Sequence, residues 1–448
     1  MDQKSENIAA IATGTGRGGI GVVRISGNNL AEMGLELTGH KLPPRQAVYT
    51  KFLAADKTIL DEGIALFFPA PHSYTGEEVL ELQGHGGSAV LLSVLQRCLE
   101  LGARIAHPGE FTQRAFLNDK MDLAQAESVA DLIEATTQQA ASSAVRSLQG
   151  VFSEAIRAVV SKLIDLRMRV EATLDFPEED GIATVERERV LGRLDGIRNE
   201  LLHIESLAKQ GSILREGAQV VLVGAPNVGK SSLLNRLAGE DIALVSEVAG
   251  TTRDAVRQSL QINGIPLHII DTAGIRETQD IVERMGIART QQNIERADLI
   301  LILTDDSNNN AITNEISILS RLPSKIPRLF IHNKIDLSGQ HSQIMQQGDN
   351  IHIYVSALTG AGIEILQMKM LQKIGWHQEA GVFMARERHL VAISTAKQHL
   401  ISADKQLDDL ELLAEELRYA QSALNAITGE FVADDLLGEI FSRFCIGK

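Results

Sequence analysis

The octapeptide GAPNVGKS at 224–231 constrains this chain more than any other run in it. It matches G-x-x-x-x-G-K-[ST] and stands between an apolar, strand-like run at 219–223 and a helix-like one at 232–237. That placement suits a phosphate-cradling loop, because glycines let backbone N–H groups and a helix N-terminus converge on an anion. In such a loop Lys230 reaches the β- and γ-phosphates and the Ser231 hydroxyl binds Mg²⁺. Over residues 216–376 the strand candidates 219–223, 267–270, 299–303, 328–331 and 351–355 alternate with helix-length intervals. This is the pattern of a mostly parallel sheet with helices on both faces. Asn263-Gly264 between two strand-like runs predicts a two-residue hairpin.

Further motifs follow in order. Thr251 or Thr252, in the run SEVAGTT at 246–252, offers a second hydroxyl to Mg²⁺, and DTAG at 271–274 follows a strand as a metal-binding acid should. NKID at 333–336 follows another strand, and Asp336 can accept from guanine N1–H and the exocyclic amine, a pairing adenine lacks. The nucleotide is therefore expected to be GTP. The expected contacts are Asn227, Val228, Gly229, Lys230, Ser231 and Ser232; then Ser246, Glu247, Val248, Ala249, Gly250, Thr251 and Thr252; Asp271, Thr272, Ala273 and Gly274; Asn333, Lys334 and Asp336; and Ser356, Ala357 and Leu358 after the last strand.

Two positions break the familiar pattern. Ile275 stands where Ras-type GTPases carry the glutamine that orients water, so hydrolysis must recruit another group. Glu277, Asp280 and Glu283 are the nearby acids, although a solvated helix start is the better reading of any one of them. Asn227, inside the loop, either helps hold a monovalent cation against the phosphates or stabilises the turn, and the residues alone leave both open.

Outside this segment the texture changes twice. Short strand-like runs at 20–25, 63–68 and 79–82, with a helical spacing at 88–101, read as an α+β domain. From 121 the chain is helical, with Leu163, Leu166, Val170 and Leu174 on one face, and the texture returns after 382 with Leu410, Leu413, Leu417, Leu424 and Ile427. Both helical stretches are expected to share one core, with the nucleotide segment inserted between them. A net charge of −15 and only 17 aromatics in 448 residues argue against a dedicated nucleic-acid coat. Two cysteines and no Cys/His cluster argue against a disulfide framework or zinc. The first residues lack a secretory pattern and no apolar run reaches membrane length, so a cytoplasmic protein is expected.

The flanking motifs GRGGIGVVRIS (16–26), VLELQGHGG (79–87), PGEFTQRAFLNDK (108–120), DLAQAE (122–127) and FCIGK (444–448) resemble the tRNA wobble-uridine modification GTPase family, MnmE/TrmE. The resemblance spans essentially the whole chain. It implies an N-terminal α+β tetrahydrofolate-binding and dimerisation domain (1–119), a discontinuous α-helical domain (120–214 and 378–448) and an inserted Ras-like α/β P-loop GTPase domain (215–377).

It further implies a homodimer that joins an FAD-binding subunit of the MnmG/GidA type in a heterotetramer. Together they would add an aminomethyl or carboxymethylaminomethyl group to C5 of wobble uridine 34 of tRNA, with a tetrahydrofolate one-carbon donor. In this family Asn227, Ser246, Val248 and Thr251 would hold K⁺, Ser231 and Thr252 would hold Mg²⁺, and Lys230, Arg276 and Glu283 would act in hydrolysis. Arg24, Glu81, Lys120 and Lys448 would bind folate. Cys445 near that tail is a candidate thiol, with simple packing an equal alternative. The rival reading is a ribosome-assembly or translational switch GTPase, which would share the nucleotide motifs; a folate-binding scaffold with a vestigial GTPase is disfavoured by the intact Lys230, Ser231, Thr252 and Asp271.

Overall fold

The computed structural model describes residues 6–14, 16–175, 187–239, 257–271, 295, 297–307, 323, 325–377, 381–430, 440–442, 444 and 447. The chain packs as two compact units. One comprises Met1–Ala130, Leu148–Val160 and Gln421–Lys448, and the other Asp131–Ser147 and Ser161–Ala420.

The first unit is built on strands β1 (Ile8–Ile11), β2 (Gly18–Gly27), β3 (Val48–Leu53), β4 (Ile59–Phe68), β5 (Glu78–Gly86) and β6 (Arg104–Ile105). They form a six-stranded sheet in the order β3-β4-β5-β2-β1-β6, antiparallel except where β1 meets β6. Alternation along β2 puts Val23 and Ile25 into a core shared with Leu80, Leu82, α1 (Leu30–Thr38) and α2 (Ser88–Glu100). Burial in that core pushes the Cys98 thiol up to about 12, so it behaves as a small apolar group.

The opposite face carries Arg24, registered against Ala10 on one side and Glu81 on the other. On α3 (Glu110–Leu117) the buried Glu110 accepts hydrogen bonds from Arg104, Arg114 and the His107 amide. Burial alone would raise its carboxyl, but these donors outweigh it and bring it down to about 2.

The predicted helical stretches are helices: α4 (Leu123–Glu134), α5 (Gln138–Leu148), α6 (Val151–Asp175) and α7 (Arg187–Glu216). Leu163, Leu166 and Val170 are buried on one face of α6, while Leu174 is only half-buried.

The nucleotide segment of the second unit folds as β7 (Ala218–Gly224), α8 (Lys230–Ala238), β8 (Arg257–Ile262), β9 (Ile265–Asp271), β10 (Leu299–Asp305), β11 (Arg328–Asn333), α9 (Ile335–Ser338), β12 (Ile344–Gln347), β13 (Asn350–Tyr354) and α10 (Ile363–Ile374). The seven strands pair in the order β12-β13-β11-β10-β7-β9-β8. The five central strands are parallel, and β8 and β12 close the edges antiparallel. Every residue of β10 from Leu299 to Thr304 is buried, which is why its run is continuously apolar rather than alternating. The hairpin turn falls at Asn263-Gly264, both at positive φ (51° and 76°). All four residues of edge strand β12 are exposed, so it left no hydrophobic pattern to find. Downstream lie α11 (Glu387–Lys405) and α12 (Leu410–Thr428), with Leu413, Leu417, Leu424 and Ile427 fully buried.

Candidate nucleotide site

Parallel pairing of β7 with β10 on one side and β9 on the other brings the loop after Gly224 to the carboxyl edge of the sheet, where open α/β sheets bind ligands. Asn227 and Gly229 both take positive φ (64° and 97°), turning the backbone around the space a phosphate would fill. Gly229 is fixed by space as well as by conformation, since a Cβ there would lie 2.3 Å from Asn333 Nδ2. Lys230 opens α8, and its Nζ donates to Gly224 O at 3.0 Å, arching over the loop. Ser231 and Ser232 are exposed at the helix start, open to a metal ion and phosphate oxygens.

The base-recognition end is tied directly to that loop. Asn333 is buried, donates from Nδ2 to Val228 O at 2.9 Å and accepts from Ala357 N at 2.9 Å. One carboxamide therefore joins the phosphate loop to the last loop of the domain. Lys334, with φ 69°, donates to Asn227 O at 2.8 Å and to Asp305 at 2.6 Å. Burial pushes the Asp305 carboxyl up, but the Lys334 and Ser307 hydrogen bonds outweigh it and hold it below its ordinary value. Asp336 accepts from the buried Ser356 hydroxyl at 2.5 Å, and Ser356 Oγ in turn accepts from Thr359 N at 3.1 Å. This leaves the second carboxylate oxygen of Asp336 for a base edge. Arg236 on α8 donates to Ala357 O at 3.0 Å and Leu358 O at 2.5 Å, so Leu358, though 74% exposed, sits on an anchored loop.

Asp305, Arg236 and a histidine pair were missed in the sequence. His332, directly before Asn333, hydrogen-bonds His352 across the sheet (Nε2 to Nδ1, 2.9 Å) and Thr304 Oγ1 at 3.1 Å. Burial, and then the neighbouring His352, push His332 down to about 4, leaving it an uncharged brace under the recognition loop. No local pattern marks these residues, because their partners come from other strands.

Asp271 ends β9, its backbone opposite Leu222 of β7. Ser246, Glu247, Val248, Ala249, Gly250, Thr251, Thr252, Thr272, Ala273, Gly274, Ile275, Arg276, Glu277, Asp280 and Glu283 lie outside the described residues, as do Cys445 and Lys448.

In the N-terminal sheet, Arg24 Nε donates to Glu81 Oε1 at 2.8 Å, and its guanidinium carbon lies 5.5 Å from the Tyr74 ring centre and 5.8 Å from that of Phe111. Lys120 is exposed just after α3. The carboxyl-terminal tail packs in the same unit. A Cβ on Gly447 would meet Ile11 O at 2.4 Å, and one on Gly109 would meet Phe441 O at 2.6 Å.

A phosphate loop between a buried parallel strand and a helix, bonded to an NKxD loop that presents one free carboxylate edge, defines a P-loop GTPase. The flanks place it further. A family profile described as "GTP-binding protein TrmE N-terminus" matches residues 7–120, and one described as "MnmE helical domain" matches residues 123–445. The chain is 56% identical over 451 residues to the tRNA modification GTPase MnmE of Laribacter hongkongensis, covering 100% of both chains. It is 57% identical over 450 residues to that of Nitrosomonas europaea, covering 99% of each, and 56% identical over 444 residues to that of Chromobacterium violaceum, covering 98% of each. The chain belongs to the MnmE/TrmE family of tRNA modification GTPases and is a GTP-hydrolysing enzyme. Among the described residues no helix is long and apolar enough to cross a membrane.

Proposed function

We propose that this chain works in the cytoplasm as a homodimer and, with an FAD-binding MnmG/GidA-type subunit in a heterotetramer, adds an aminomethyl or carboxymethylaminomethyl group to C5 of wobble uridine 34 of tRNA. A tetrahydrofolate derivative supplies the one-carbon unit, and GTP hydrolysis depends on K⁺ and Mg²⁺. The observation that carries this reading is that Gly447 lies against Ile11 of β1, the neighbour of β2, whose Arg24 pairs with Glu81 of β5. Residues from the two ends of the chain thereby share one unit. Folate joins an anionic tail to a donor-rich ring, and this face offers the cations Arg24 and Lys120 with the carboxylate Glu81.

At the nucleotide, Asn227 favours a K⁺ role. Its backbone carbonyl is engaged by Lys334, while the residue itself is exposed in a left-handed turn of the phosphate loop. With Ser246, Val248 and Thr251 it would hold K⁺; Ser231 and Thr252 would hold Mg²⁺. Glu283 and Arg276 take the part that Ile275 cannot, beside Lys230 on the phosphates. The domain boundaries 1–119, 120–214, 215–377 and 378–448 belong to the same proposal, with Cys445 packing in the tail or lending a thiol.

One reconstitution tests all of this: the purified chain, its FAD-binding partner, tRNA, GTP and a tetrahydrofolate one-carbon donor, in KCl or in NaCl, with the wobble uridine read by mass. Modification and fast GTP hydrolysis are expected in KCl, with both depressed in NaCl. Unmodified uridine in KCl would sink the tRNA chemistry, and equal rates in the two salts would sink the K⁺ mechanism.

A further inference from the structure

The β8–β9 hairpin connects the nucleotide end of the sheet to the helical segments. β9 runs from the turn at Asn263-Gly264 to Asp271 and is paired from Leu267 to Asp271 with β7, the strand that carries the phosphate loop. Seven extended residues span about 20 Å. At the turn, Gln139 Nε2 of α5 donates to Asn263 O at 3.2 Å. Gly264 lies so close to the same side chain that a Cβ would fall 1.6 Å from Gln139 Oε1. Positive φ at both turn residues is the geometry that keeps a two-residue hairpin continuous with its strands, so the turn does not act as a hinge.

Midway along β9, His268 donates from Nε2 to the carbonyl of Glu216, the last residue of α7, at 2.9 Å, and accepts from Ser259 Oγ of β8 at 3.0 Å. Beside the turn lies a cavity of about 1050 Å³ lined by Gln139, Ser142, Asn263, Leu371, Gln372 and Trp376. A packed interior resists small displacements; here the turn and α5 have room to move against α10.

We propose that this hairpin is the rod by which nucleotide state at the phosphate loop reaches α5, and that Gln139 is the positioning residue coupling the two. Strands hydrogen-bonded side by side are stiff lengthwise, so a shift at the β7–β9 end is delivered at the turn, where Gln139 receives it. The inference rests on the GTPase reading and is independent of the tRNA chemistry.

Trp376 is the only tryptophan in the sequence and lines the same cavity as Gln139 and Asn263, so its emission reports this junction alone. The full-length protein is compared with GDP and with a non-hydrolysable GTP analogue, binding being followed separately with a fluorescent guanine nucleotide. Wild-type emission is expected to differ between the two. In Gln139→Ala, and in Gln139→Glu, which keeps the length but lacks the N–H donor, the difference shrinks about fivefold, the population change that loss of one neutral hydrogen bond produces. Nucleotide affinity and GTP hydrolysis stay near wild type, because Gln139 is an exposed residue remote from the loop. A full-sized difference in both variants overturns the coupling, as does unchanged wild-type emission when both nucleotides are shown to bind. Failure to bind guanine nucleotide at all would count against the site reading instead.

Discussion

Asp336 recognises a base only while something holds its carboxylate in place, and that something is Ser356, donating from a fully buried position at 2.5 Å. The hydroxyl takes one lone pair of Oδ1, so the rest of Oδ1 and all of Oδ2 stay available to the N1–H and amine of guanine. Replacing Asp336 with Asn keeps the shape and the serine contact but presents an amide that repels the guanine amine. Asp336→Asn is expected to weaken GTP by about 2 kcal/mol, roughly thirtyfold, the usual worth of a hydrogen bond to a charged group. Xanthosine triphosphate, with a carbonyl in place of that amine, should gain. Competition binding with the two nucleotides checks it, and unchanged preference would overturn the guanine assignment. Asp336 was legible in NKID; Ser356 as its support was not, because the two meet only when β11 and β13 pair in the sheet.

Among the helices and strands, the main demand on the fold is that the chain leaves the helical region after α7 and returns before α11. The returning run Val382–Ala385 is fully buried. It crosses α7 at Gly211, where a Cβ would lie 1.8 Å from Phe383 O. Ser143 and Arg146 of α5 both donate to Val382 O, at 2.9 and 2.8 Å. Both crossings then meet at Asp131 of α4. Its Oδ1 accepts from Arg215, in the last turn of α7, and from Arg386, the N-cap of α11, each at 2.8 Å, and its side chain is only 3% exposed. Asp131→Ala removes the buried carboxylate that the two arginines share and is expected to cost about 3 kcal/mol, read as a fall in the urea midpoint. An unchanged midpoint would show that the clamp contributes nothing. Insertion of one segment into another was readable from the texture of the helices; the residue on which the insertion closes was not, since Asp131 looks like any acid in an amphipathic helix.

For the molecule as a whole, the ends of the sequence matter together. Gly447 lies against Ile11, and Phe441 and Phe444 pack with Leu123 and Ala126 in a core of their own. Ending the chain after Phe444 removes the last four residues, including Lys448, but spares that core. Such a truncation is expected to weaken binding of a tetrahydrofolate derivative about tenfold or more, as loss of one charge-assisted contact does, with GTP hydrolysis intact. Calorimetric titration of the two proteins decides it, and equal affinities would remove the tail from the folate site. The charge of −15 argues against a dedicated nucleic-acid coat and not against membership of a tRNA modification family.

The nucleotide class, the order of segments and the family can be read from short runs of residues, because a phosphate loop, an acid after a strand and NKxD must each be local: a backbone cradle or a base edge is met by consecutive residues. What ties these motifs into one site comes from the fold. Asn333 reaching Val228, Lys334 reaching Asn227 and Asp305, Arg236 anchoring Leu358 and the His332–His352 brace all join residues far apart in sequence. Their types are ordinary, and only strand order and register bring them within hydrogen-bonding distance.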